Sequence, residues 1–222
     1  MGWLSQSLNS SIGKKFIMAV TGICLILFLI IHLLNNLSMY LGPETYTTLV
    51  ASLDGIKPLI RIIEVILALI FVFHIFNGTR LWLENKKARP ENYAVNASSK
   101  NSTLFSRTMI HSGSIILIFL VIHLNTMWYS FNFGEAHADH SYYYFVANTF
   151  NTNVVYSLFY IFAMVLLGFH LNHGFQSAFQ TFGWNHKKYF PLIEKIGFLY
   201  SLIMAIGFAS IPVYFLFFYG GN

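Results

Sequence analysis

Five apolar segments dominate this chain of 222 residues, covering approximately 15–37, 59–83, 104–131, 154–179 and 193–218. Each is long enough to cross about 30 Å of bilayer hydrocarbon as a helix. Lipid offers no partner for backbone N–H and C=O groups, so an open sheet is excluded. The expected fold is an all-α integral membrane protein, one five-helix bundle over residues 1–222. Pro58 and Pro191 stand just before the second and fifth segments, where a helix start tolerates proline. Pro212 falls inside the fifth and is expected to kink it. Segments 38–58 and 132–153, rich in Gly, Asn, Tyr and acids, are expected to be loops, and 84–103 a polar connector.

Only 9% of residues are charged, against about 25% in soluble domains. The net charge of +5 is no nucleic-acid signal, because the basic residues cluster in the loops of one side. Lys14, Lys15, Arg80, Lys86, Lys87, Arg89, Lys100, Arg107, Lys187, Lys188 and Lys195 share one side, and only Lys57 and Arg61 lie on the other. The positive-inside rule then places the N-terminus in the cytoplasm and the C-terminus outside. The first apolar run ends in HLLNN without a small-residue cleavage pattern, so it is expected to be an uncleaved span. The single cysteine, Cys24, excludes a disulfide framework, a four-thiolate cluster and covalent haem attachment.

Four of the spans carry a histidine, and ionisable side chains inside a membrane are costly enough to mark function. At 1.5 Å per residue, His32 and His123 lie about 26 and 28 Å along two helices running outward. His74 and His170 lie about 22 and 24 Å along two helices running inward. The four sort into an outer pair, His32 with His123, and an inner pair, His74 with His170. Gly22 and Gly113 each precede an outer histidine by ten residues, about 15 Å of helix, which brings them to the inner depth. Gly78 and Gly174 each follow an inner histidine by four residues, on its face. A flat macrocycle between helices needs residues without a Cβ at its edge. Two stacked b-type haems, one per histidine pair, account for both periodicities, and a single four-histidine metal site does not.

His173, one turn past His170, competes with it as a ligand, and the Gly174 spacing favours His170. His111, beside Arg107, is expected to be a solvated helix-end residue. His137 and His140 fall in the outer segment with Glu135 and Asp139, a set that could bind a cation but is expected to be a solvated turn, and His186, beside Lys187 and Lys188, is expected to face water or a partner protein.

The motifs TGICLILFLIIHLL, FVFHIFNGTRLW, GSIILIFLVIHLN and GFHLNHGFQSAFQTFGW, around His32, His74, His123 and His170, resemble those of a known family. The chain is similar, over its whole length, to the cytochrome b558 membrane-anchor subunit of succinate dehydrogenase and fumarate reductase, the single-chain, five-helix, di-haem type. The resemblance implies that His32 and His123 bind the distal haem iron and His74 and His170 the proximal one. It further implies a flavoprotein subunit and an iron–sulfur subunit docked on the cytoplasmic face of a bacterial inner membrane, with dicarboxylate chemistry on those subunits. Electrons would pass between iron–sulfur clusters, haems and a quinone, with menaquinone as the expected species.

Two positions depart from the family pattern. A glutamate two residues before the fourth ligand in certain fumarate reductases is Gly168 here, and a propionate-binding lysine is Thr181. Propionates need cationic or hydroxyl partners; Arg80 and Arg107 are placed for the inner haem and Arg61 for the outer one, and all three serve equally as helix-end anchors. Quinone chemistry needs a proton donor, and Glu44, Asp54, Lys57, Arg61, Glu64 and Trp128 lie on the outer side. Glu64, about a turn inside the second span, is the candidate carried forward. Two rivals stand beside this reading: a di-haem anchor of another respiratory dehydrogenase or reductase, and a haem-free proton-coupled transporter.

Overall fold

A computed structural model describes residues 2–88, 104–138 and 140–220. Among the described residues the chain is 90% helical, with no strand. Five helices are long and apolar enough to cross a membrane: Ser11–Leu41, Lys57–Lys87, Met109–Ala138, Val154–Thr181 and Phe190–Phe217. The chain is therefore a multi-pass membrane protein.

In chain order, α1 (Trp3–Asn9) leads into α2 (Ser11–Leu37), and α3 (Pro43–Ser52) precedes α4 (Lys57–Lys87). A one-turn α5 (Leu104–Arg107) precedes α6 (Met109–His123), which passes through a π-helical turn at Leu124–Trp128 into α7 (Tyr129–Phe133). After α8 (Glu135–Ala138), α9 (Tyr142–Thr152) leads into α10 (Val154–Thr181) and then α11 (Phe190–Phe217).

Several boundaries differ from the sequence expectation. The first span starts four residues early, because Ser10 caps it by accepting from the Gly13 N–H at 3.0 Å. Lys14, expected at the solvated boundary, lies inside α2 and is buried, its ammonium paired with Glu84 of α4. The third span starts at Met109 rather than 104, after a break at Thr108. Pro58 and Pro191 do sit in the first turns of their helices. Helix α11 continues without interruption through Pro212.

The two segments expected to be loops each contain a helix. Pro43 and Glu44 open α3 in the manner of a soluble helix, with proline at the first position and an acid in the first turn. Together α3 and α9 cap the bundle at the end away from the N-terminus. Tyr46 packs edge-on to Tyr143, which packs on Phe215 of α11. Phe150 of α9 reaches Tyr160 of α10, with ring centroids 5.1 Å apart. Burial raises the Tyr46 phenol well above its ordinary pKa, so the cap holds a neutral hydroxyl at any physiological pH.

Helix α10 is the hub, packing against α11, α2 and α6, whereas α4 packs chiefly along α2. Asn77 is the buried residue of α4, its amide donating to the Lys14 carbonyl at 2.6 Å. Large apolar residues such as Ile62, Ile66, Leu69, Val72 and Phe76 of α4 point outward, where lipid covers them.

Gly168 sits where α10 crosses α11: a Cβ there would stand 3.0 Å from the Ala205 Cβ. Small residues at such crossings let membrane helices approach closely. Gly168→Val is expected to cost about 1–3 kcal/mol by overpacking. Thermal unfolding in detergent reads this as a lowered midpoint, and an unchanged midpoint would show that the crossing has slack.

Candidate functional site

The four span histidines group by twos. His32 of α2 and His123 at the end of α6 have ring centroids 5.9 Å apart, at 79° to one another. His74 of α4 and His170 of α10 have centroids 6.3 Å apart, at 62°. Each pair draws on two helices, and the pairs lie toward opposite ends of the bundle. A metal–imidazole bond of about 2 Å, with roughly 1 Å from nitrogen to ring centre, puts the two rings of a bis-imidazole metal site about 6 Å apart. Both pairs meet that spacing.

The glycines at the inner depth border the inner rings. A Cβ on Gly22 would come within 3.6 Å of His74 Cε1, and one on Gly113 within 3.3 Å of His170 Cε1. Gly78 faces Met18, whose Cε would lie 3.2 Å from an added Cβ, and Gly174 borders open space. Three of the four Nδ1 atoms lie near polar groups. Thr21 Oγ1 lies 3.2 Å from His74 Nδ1, and Ser112 Oγ lies 3.4 Å from His170 Nδ1. The Asn36 amide stands 3.5 Å from His32 Nδ1, at the limit of a hydrogen bond. His123 Nδ1 is buried and has no hydrogen-bond partner among the described residues. Phe28 stacks on His32 and Phe119 on His123, each from one turn earlier in its helix. Thr21 and Ser112 escaped the sequence reading, although each immediately precedes a glycine singled out there.

The remaining histidines are at the periphery. His173 is half-buried and His111 exposed. His137 Nδ1 lies 3.1 Å from the Tyr142 hydroxyl, and its ring is near that of His140. His186 Nδ1 accepts from the Lys188 N–H at 3.2 Å.

At the capped end, four side chains form one network. Arg61 donates from Nη1 to Glu64 Oε2 at 2.7 Å and from Nη2 to Asn132 Oδ1 at 2.8 Å. Trp128 Nε1 donates to Glu64 Oε1 at 3.0 Å, and Asn132 Nδ2 donates to the Trp128 carbonyl at 2.7 Å. The Arg61 guanidinium also lies over the rings of Trp128 and Phe133. The π-helical turn that ends on Trp128 re-phases the third span, and such turns recur at functional sites. Asn132 was counted with a loop in the sequence reading and is the member of this network it missed. The side chains of Asp54 and Glu135, and Asp139 as a whole, lie outside the described residues.

At the N-terminal end, Arg80 donates to Glu84 Oε1 at 3.0 Å and to Asn9 Oδ1 at 3.1 Å. Glu84 also holds Lys14, so Arg80 and Lys14 share one carboxylate. Arg107 closes α5 and is exposed. Arg89 and Lys100 lie outside the described residues. Gly168 shows what a glutamate at this position would meet, since α11 closes that face of α10.

No curated protein and no solved structure matches the chain significantly. Residues 16–98 match the family described as Succinate dehydrogenase/Fumarate reductase transmembrane subunit. That stretch holds most of the first span and all of the second, with His32 and His74, and over it the chain is similar to that family.

Proposed function

We propose that this chain is the haem- and quinone-binding anchor of a succinate:quinone oxidoreductase. His32 with His123 would hold the iron of one b-type haem, and His74 with His170 the iron of a second. The observation that carries this is the pairing of four buried-span imidazoles at ring separations of 5.9 and 6.3 Å. A haem held between two neutral imidazoles would supply one-electron transfer.

The residues around the pairs fit such groups. Gly22 and Gly113 leave the inner rings free of a neighbouring Cβ, and Phe28 and Phe119 flank the outer rings with flat apolar surface. Arg80, which also donates to Glu84 and Asn9, and Arg107 are the cations that would serve propionates at the inner end.

At the opposite end, Glu64 is the group that would take up or release the quinone proton. Arg61 and Trp128 each occupy one of its carboxylate oxygens and so fix its orientation. Menaquinone is the species that the di-haem resemblance favours. The basic end would face the cytoplasm of a bacterial inner membrane, where it would receive the flavoprotein and iron–sulfur subunits.

Purifying the chain from native membranes tests the assembly. The expected companions are one subunit carrying covalent or tightly bound flavin and one carrying iron–sulfur clusters, together with succinate–quinone activity. Recovery with a molybdenum-containing dehydrogenase or reductase would instead assign the chain to another respiratory complex.

A further inference from the structure

The two inner histidines are held alike, by hydroxyls from different helices. Thr21 Oγ1 lies 2.9 Å from the Ile17 carbonyl and 3.1 Å from that of Met18, both nearer than His74 Nδ1 at 3.2 Å. Ser112 Oγ lies 3.1 Å from the Met109 carbonyl and 3.4 Å from His170 Nδ1, and the His170 ring also hydrogen-bonds to the Met109 backbone. A carbonyl oxygen only accepts, and a hydroxyl has one proton to give. A hydroxyl that gives this proton to the nearer carbonyl of its own helix is left to accept from the ring. Nδ1 must then carry the imidazole proton, which leaves the Nε2 lone pair free.

The arrangement occurs twice, in two stretches of matching sequence. Residues 21–32, TGICLILFLIIH, and 112–123, SGSIILIFLVIH, share a hydroxyl residue followed by glycine, a phenylalanine and a terminal histidine at identical spacing. In both, the hydroxyl meets an inner ring, an added Cβ on the glycine would meet that same ring, and the phenylalanine stacks on the outer histidine. The partner rings repeat as well, Phe73–His74 with Gly78 and Phe169–His170 with Gly174. Two separate stretches reaching one geometry argue against incidental packing. The outer rings have no such hydroxyl: His32 Nδ1 meets only a marginal amide contact, and His123 Nδ1 meets nothing among the described residues.

We infer that Thr21 and Ser112 are positioning residues of the inner site, each accepting from Nδ1–H of an inner histidine so that its Nε2 is presented, electron-rich, to the haem iron. This rests on the di-haem reading above. Partners of this kind raise ligand basicity, and losing one typically costs about 10- to 100-fold in metal affinity or activity.

The test uses the intact complex in redox titrations of its haem absorbance, with His170→Ala marking the inner haem. Thr21→Val keeps shape and removes the acceptor, and Ser112→Ala does the same at the second site. Each is expected to move the inner midpoint potential upward and alter the inner low-spin EPR signal, leaving the outer haem unmoved. Thr21→Ser and Ser112→Thr are expected to restore the parental values. Inner potential and EPR signal unchanged in both Thr21→Val and Ser112→Ala would overturn the inference while leaving the di-haem reading intact. Equal shifts in both haems would overturn it too, since a general loosening of the bundle would then be the cause. If Thr21→Val fails to accumulate, the Thr21→Ser and Ser112→Ala pair carries the same contrast. A parental complex without haem would instead defeat the reading beneath it.

Discussion

His170→Ala is expected to leave one b-type haem where the parental chain holds two, and His173→Ala is expected to keep both. The two histidines are one turn apart, yet only 170 is built into the inner pair. Its ring faces His74, meets the Ser112 hydroxyl and borders Gly113. Removing one axial imidazole of a bis-imidazole site takes away half of the protein's direct hold on the iron. The pyridine haemochromogen assay reads the outcome as a stoichiometry. Loss of a haem in His173→Ala but not in His170→Ala would move the ligand by one turn and leave the Ser112 contact without a purpose.

Glu64→Gln is expected to slow quinol-dependent turnover by roughly 10²- to 10⁴-fold, the usual contribution of a positioned acid or base. Haem content should be unchanged, because the network lies at the capped end and touches none of the four paired rings. Glutamine keeps an oxygen that accepts from Trp128 Nε1 but loses the charge that faces Arg61. The Arg61–Glu64 pair is about a third exposed, and such pairs add little to stability, so a fall in rate would not come from unfolding. Turnover equal to the parental rate would reduce this network to a helix-end ion pair.

The fold was legible where lipid dictates it. Twenty or more apolar residues in succession admit one backbone solution, and the five spans followed from that alone. Their ends do not, because charge marks a boundary in sequence: Lys14 reads as a surface residue, and its burial depends on Glu84, seventy positions away. The capping helices α3 and α9 are hidden by composition, since Tyr-, Asn- and Gly-rich stretches look like loops until Tyr46 is seen against Tyr143, Tyr143 against Phe215 and Phe150 against Tyr160.

The two-by-two grouping of histidine rings was accessible from depth, because helix rise converts residue number into distance along the membrane normal. What depth cannot supply is rotation about the helix axis. Thr21 and Ser112 were therefore passed over, although the glycines beside them were noticed. Hydroxyls are common in membrane helices, and their significance here depends on a ring from another helix. Asn132 was missed for a related reason: the π-helical turn shifts the phase of the third span before it, and a regular helix count does not anticipate that shift.

Haem iron held by the paired histidines would leave a direct spectroscopic signature. A reduced-minus-oxidised spectrum with haem quantitation on the purified, full-length chain is expected to show two b-type haems per chain, with Soret and α bands of a low-spin bis-imidazole cytochrome. A chain that is folded and helical but has no Soret band would contradict the account. The four histidines would then be candidates for a proton path, to be pursued by solute uptake into proteoliposomes.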